Sequence, residues 1–420
     1  MLRGGGGLFY SSITGIGSGP GSFGISGFQT TTSMLTSVGN AGLIPLNPLS
    51  NPYPSGLLRA TGSSQGAATL LGQAISFTDR GNVTPYSVQW NFNVQRELPG
   101  AILTEAGYLG SHGLKLPQNL TLNQIPDSAL ALGDGLRTQV PNPFVGQIPS
   151  GILATTTVTR AQLLRPYPQF DGVTSVNTTW ASSVYHALTL KAEKRYSKGF
   201  SVMGSYTYSK AMDNGIGTFA GESTGGSGFQ NNNNLRAERS VSELDQTNRI
   251  VVNTVYEAPF FKNGKGVAGR ILGGWQMGVI VLAYSGNPLG IGASVNNTFS
   301  QGGGQRPNWS GISPKLDNPT WQRWFDISQF ANPASYAFGN AARTYTGLRS
   351  DPARNADVSF VKNTRILEKL NLQFRSEFFN LTNTVRFTPP NTSLGNAQFG
   401  VVSSIANQPR VIQFALKLVY

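Results

Sequence analysis

The chain ends on a strand. Arg410-Val411-Ile412-Gln413-Phe414-Ala415-Leu416-Lys417-Leu418-Val419-Tyr420 puts Ile412, Phe414, Leu416, Leu418 and Tyr420 on one face of an extended segment, with Gln413, Ala415 and Lys417 on the other. A period of two over about ten residues is the pattern with which a tilted strand crosses a bilayer, apolar side to lipid and polar side to the interior. The terminal aromatic suits the level where hydrocarbon meets headgroups. Such an ending leaves two broad possibilities, a transmembrane barrel or a soluble β-sandwich.

The same period recurs along the chain. Tyr86, Val88, Trp90, Phe92 and Val94 alternate with Ser87, Gln89, Asn91, Asn93 and Gln95. The turn Pro99-Gly100 returns the chain through Ile102, Ala106 and Tyr108. Leu188, Leu190 and Ala192 alternate with Thr189, Lys191, Glu193 and Arg195, and Ser197-Lys198-Gly199 leads into Phe200, Val202, Tyr206 and Tyr208. Further strands are expected at 2–10, 248–258, 275–285, 356–364 and 370–380. The connections alternate in length. Those after Leu98, Tyr196, Ala258 and Thr364 are short; those after Tyr10, Gly110, Lys210, Ser285 and Asn380 are long. Short turns at one end and long loops at the other mark a transmembrane barrel, with the long loops extracellular. The expected fold is therefore all-β, an antiparallel transmembrane barrel portion of about ten strands.

Composition agrees. Charged residues are 12% and glycine is 51 of 420, against roughly 25% charged in soluble proteins. Mean hydropathy is −0.16, because polar lumen positions alternate with the lipid face. No apolar run reaches the ~18 residues of a membrane helix; the longest, 277–284, suits a strand. The absence of cysteine excludes disulfides and thiolate chemistry. The net charge of +13 is scattered, with no basic run, so nucleic acid is not an expected partner.

Catalytic signals are weak. The only histidines, His112 and His186, lie far apart, and no serine sits in a nucleophile elbow. The chain is expected to be no enzyme and to hold neither metal nor cofactor. Gly19-Pro20-Gly21-Ser22-Phe23-Gly24 matches G-x-G-x-x-G, but it contains a proline and lacks a flanking strand and helix, so it reads as loop. Candidate ligand-binding residues lie in the long loops. Glu238 and Asp245 suit a cation or ligand at a loop mouth, or else local ion pairs. Trp309, Trp321 and Trp324, with Arg306 and Arg323, suit stacking on a sugar or siderophore, or packing of the loop's own interior. Lys191, Glu193, Arg195, Arg375, Glu377 and Lys417 are expected to face the lumen, against a plug or against water.

Several segments carry a family resemblance: Val88-Gln89-Trp90-Asn91 through Arg96-Glu97-Leu98-Pro99-Gly100, Glu105-Ala106-Gly107-Tyr108-Leu109-Gly110-Ser111, Gln162-Leu163-Leu164-Arg165-Pro166-Tyr167-Pro168-Gln169-Phe170, Leu235-Arg236-Ala237-Glu238-Arg239-Ser240, Gly273-Gly274-Trp275-Gln276, Arg375-Ser376-Glu377-Phe378-Phe379-Asn380-Leu381-Thr382-Asn383 and the final strand. Together they resemble the C-terminal barrel of a TonB-dependent outer-membrane receptor of the Oar-like group, whose members often carry a carboxypeptidase-regulatory-like domain. The resemblance implies a barrel of about 22 strands in the bacterial outer membrane, filled by an N-terminal plug. It implies insertion by the barrel-assembly machinery and energised uptake of a bulky solute driven by the TonB complex. Residues 1–420 show no plug, TonB box or signal peptide, Leu2-Arg3 leading straight into Gly4 to Gly7. The expectation is a C-terminal piece of a longer protein, with two unpaired sheet edges, at its first and last strands. A surface adhesin or assembly scaffold that uses the long loops without transport is the alternative.

Overall fold

A computed structural model describes residues 1–11, 26–34, 36–38, 42, 44–47, 49–148, 151–215, 229–259, 266–367 and 370–419. The Gly19–Gly24 motif and Tyr420 lie outside them. One antiparallel meander dominates: β1 (Leu2–Tyr10), β2 (Tyr86–Leu98), β3 (Ile102–Thr121), β4 (Gly172–Ser197), β5 (Phe200–Asp213), β6 (Asn248–Glu257), β7 (Trp275–Tyr284), β8 (Ala353–Leu367), β9 (Leu370–Phe379) and β10 (Val411–Val419). Each strand pairs with its neighbour in sequence, and β1 and β10 end the path without pairing to each other. Two short strands join the margins. Ala74–Thr78 pairs in parallel with the start of β4, and Ser240–Val241 pairs with the end of β5.

Register carries one apolar face across the whole sheet. Leu8 pairs with Val88, Phe92 with Tyr108, Tyr108 with Leu188, and Leu190 with Tyr206. The line continues through Tyr206 with Ile250, Val252 with Val281, Val279 with Val358, Phe360 with Ser376, and Phe374 with Leu416. Because side chains alternate with a period of two, a single slip would turn a strand inside out. Phe414 and Leu416 on this face are 67% and 68% exposed, an arrangement that a bilayer stabilises and water does not. The same face carries Ile412 and Leu418, also exposed.

Aromatic residues collect at both margins of that face. Near the short turns stand Phe200 packed on Tyr256, with Lys194 over the Phe200 ring and Lys362 over Trp275. Lys362 Nζ donates to the carbonyl of Gly273 in the turn below, a cation reaching past the hydrocarbon toward water. At the long-loop end Tyr10 packs on Tyr86. Phe200 and Tyr208 bound the apolar run of β5, roughly 27 Å along a strand, matching the apolar band of an outer-membrane barrel.

Two strands overrun the expectation. Periodicity predicts β3 to end at Gly110 and β4 to begin near Tyr185, whereas they span Ile102–Thr121 and Gly172–Ser197. The register shifts at Gly113/Leu116, Leu116/Pro117 and Gln118/Leu120, and Lys115 and Asn177 adopt positive φ. These bulges break the alternation that reveals a strand in sequence and increase local bend and twist. Among the described residues the long loops are built structures, packed on three small apolar clusters. The largest gathers Leu289, Ile291, Phe325, Phe330, Ala341, Tyr345 and Leu348.

Candidate functional site

The polar face of the sheet forms the floor of a partly open cavity of about 550 Å³ at the long-loop end. Ser87 and Gln89 of β2, Ser111 of β3, Ser183 and Tyr185 of β4 and Asp213 of β5 line it from below, with Phe9 of β1 at one side. Leu116 and Pro117, in the bulged extension of β3, narrow it. Ser242, Glu243, Leu244 and Arg343 close it from the loops.

Buried charges hold that roof in place. The loop after β7 supplies three arginines, and the segment from the end of β5 to β6 supplies their carboxylates. Arg306 Nη1 donates to Glu238 Oε2 at 2.7 Å. Arg343 donates to the Asp213 carboxylate and lies 3.7 Å from Glu243 Oε1. Arg349 Nη2 donates to Asp245 Oδ2 at 2.6 Å, and Nη1 to the carbonyls of Asp245 and Gly286 at 3.1 and 2.9 Å. Glu238 and Asp245 are each 1% exposed. At that depth a charge pair is screened little by solvent, and loss of either partner strands the other. The loop after β3 joins through amides: Gln124 Nε2 donates to Asn231 Oδ1, and the Asn232 backbone N–H donates to Gln124 Oε1 at 2.8 Å. The asparagine run at 231–234 is thus a clasp between loops. Ile125 N–H donating to the Ser300 carbonyl ties the third loop to the same plate.

The loop residues singled out from sequence fall into different roles. Glu238, Asp245 and Arg306 are brought together with their partners inside the plate. Trp309 and Trp324 pack on the Phe325–Phe330–Tyr345 cluster, and their indole N–H groups donate to the carbonyls of Ile312 and Arg349. Trp321 is 54% exposed. Arg323 stands beside it in sequence and donates to Asp326 Oδ1 at 2.8 Å. Gln329, Ser328 and Arg323 donating to Asp326 hold its carboxyl down to about 2. Burial pushes the Tyr345 phenol up to about 12.

The six charged strand residues all lie on the polar face by register, in two groups. Lys191 pairs with Glu193 at 3.1 Å, and Arg195 continues their alternation on β4. Arg375, Glu377 and Lys417 lie on β9 and β10, opposite Ala415, Gln413 and Gln373. Four strands separate the two groups. Sequence reading missed Arg343, Arg349 and Asp213, the residues that fix the roof. The alternation ends before they are reached, and a lone loop arginine carries no mark of its partner.

A large antiparallel sheet with one apolar face, aromatic margins and long loops on one end defines an outer-membrane barrel wall. The family described as outer membrane beta barrel domain matches residues 1–413, and the chain belongs to that family. It is a protein of the bacterial outer membrane. Among solved structures it is similar to the outer membrane transporter YddB from Escherichia coli, at 10% identity and a TM-score of 0.41, over 83% of this chain and 34% of that one. The chain spans about a third of that transporter's length. No curated protein matches the sequence.

Proposed function

We propose that the chain is the C-terminal portion of a TonB-dependent receptor barrel of about 22 strands, of the Oar-like group. In this reading it takes up a bulky solute of the siderophore, cobalamin-like or oligosaccharide class. The observation that carries the reading is the roofed cavity. The long loops are cross-braced by buried arginine–carboxylate pairs and enclose about 550 Å³ against the polar face of the wall. An open pore keeps a water-filled lumen; braced loops over a lined, partly open pocket suit capture followed by gated release. The barrel-assembly machinery inserts the wall, the upstream part of the protein supplies the remaining strands and the plug, and the TonB complex drives plug movement. No bond is made or broken in the solute.

The test is accumulation of labelled solutes from the three classes by cells expressing the full-length protein, with and without a functional TonB. Saturable uptake of one class that disappears without TonB is the expected result. Uptake of none, or uptake indifferent to TonB, contradicts the reading and favours an adhesin or assembly scaffold.

A further inference from the structure

We propose that the apolar face holds one anionic glycerophospholipid of the leaflet nearest the short turns, in a groove across β2 to β6. The inference does not depend on the uptake reading; it needs only that this face of the wall meets lipid.

Register sets the shape. Thr104, Ala192 and Gly204 stand side by side on β3, β4 and β5. On one side of them runs the larger row Leu190, Tyr206 and Ile250. On the other, toward the turns, runs Ile102, Lys194 and Val202. The surface between sinks into a groove of about 580 Å³ with a mainly apolar lining, a volume in the range of small-molecule sites. Glu105, Lys191 and Ser205 also border it, but by alternation their side chains turn to the polar face. The Thr104 hydroxyl donates to the Arg96 carbonyl at 2.9 Å, so it asks nothing of an occupant. A Cβ added at Gly204 would find its nearest neighbour, Val252 Cγ2, at 4.0 Å, so the floor there is open. Against hydrocarbon, an unfilled groove forfeits dispersion contacts that an acyl chain restores. Strands tilted by roughly 35–45° incline a cross-strand groove to the bilayer normal by a comparable angle, a course a lipid tail can follow.

Charge selects the head. Arg96, exposed, borders the groove. Lys194 stands in the next row toward the turns, over the Phe200 ring. Among the described residues neither cation has a carboxylate partner. Strands about 4.8 Å apart, rising about 3.4 Å per residue, put the two backbones roughly 12 Å apart. Two long side chains close that gap from both sides of one phosphate. The arginine fork takes phosphate oxygens in pairs, and the lysine adds a point charge. Two cations against one phosphate leave a positive excess that favours a head with no ammonium group of its own. Cations at headgroup depth attract anionic lipid in this way.

The test titrates the full-length protein, purified in a nonionic detergent, with dioleoyl phosphatidylglycerol, dioleoyl phosphatidylcholine and dioleoylglycerol. Bound lipid is counted by native mass spectrometry. The three share their chains and differ in the head. One phosphatidylglycerol is expected to bind saturably and about tenfold tighter than phosphatidylcholine, the scale of one hydrogen bond to a charged group. Dioleoylglycerol is expected to bind most weakly. Arg96→Gln with Lys194→Gln removes the advantage of phosphatidylglycerol, and Gly204→Leu fills the groove and weakens all three. Equal binding of the three lipids by the unsubstituted protein overturns the proposal, whatever the variants do. So does an advantage for phosphatidylglycerol that survives the double substitution. A two-protomer mass that forms without lipid and is lost in Gly204→Leu gives the groove to a second copy of the chain, and overturns it too.

Discussion

Single residues decide how firmly the roof is held. The Arg306–Glu238 pair makes one short contact, while Arg306 Nε and Glu238 Oε1 are buried without hydrogen-bond partners. Removing one partner leaves a buried charge, so Glu238→Ala is expected to destabilise the loop plate by about 3 kcal/mol. The double change Glu238→Leu with Arg306→Met is expected to restore most of that, as protease resistance of the loops after β5 and β7 would show. Equal loss in single and double variants would mean that the pair does not brace the loops. Two groups set pH limits. The Asp326 carboxyl, held at about 2 against an ordinary value near 4, contributes stability that is present above that ordinary value. That contribution is lost as pH falls toward 2. Tyr345, raised to about 12, contributes stability that is complete below about pH 10 and lost as pH rises toward 12. Trp324 fluorescence followed across both ranges should show the two losses, and Asp326→Asn should abolish the acid one. On the wall, a Cβ at Gly110 would fall 2.2 Å from the Trp90 ring that lies over it. Gly110→Val must push the indole aside, at a cost of about 1–3 kcal/mol in urea unfolding. Trp90→Ala should relieve much of that cost in a double-mutant cycle.

At the level of elements, what was legible in the sequence is what obeys a period. Ile412, Phe414, Leu416 and Leu418 declare their face because nothing interrupts β10, and the same holds for β2 and for the membrane-crossing parts of β4 and β5. The extensions of β3 and β4 were invisible because Lys115, Leu116 and Asn177 sit at bulges, where alternation fails although pairing continues. The loop plate was invisible for a different reason. Arg343 and Asp213 are 130 positions apart, and no local pattern records a contact at that separation. Glu238 and Asp245 stood out as charges, but only the fold gives them partners. The two faces of β10 should respond differently to charge. Leu416→Lys on the apolar face should cost about 2–4 kcal/mol at mid-bilayer and reduce the amount of assembled protein. Gln413→Lys, on the opposite face of the same strand, should change neither by much.

For the whole molecule, the arrangement proposed is directional: one face of a ten-strand wall toward lipid, the other toward water, and the long loops outside. The edges at β1 and β10 end the sheet without pairing to each other, and unpaired backbone in hydrocarbon is costly. The chain has no cysteine, so a single introduced thiol reports its own surroundings without background. The decisive measurement is labelling by a membrane-impermeant maleimide of single-cysteine variants assembled in the outer membrane of intact cells. Ile312→Cys in a long loop should label at once, and Lys198→Cys in a short turn should label only after the outer membrane is permeabilised. Along β10, Gln413→Cys and Ala415→Cys should react with water-borne reagent while Phe414→Cys and Leu416→Cys stay protected. Uniform labelling along β10, or immediate labelling at Lys198→Cys, would overturn this orientation of the wall.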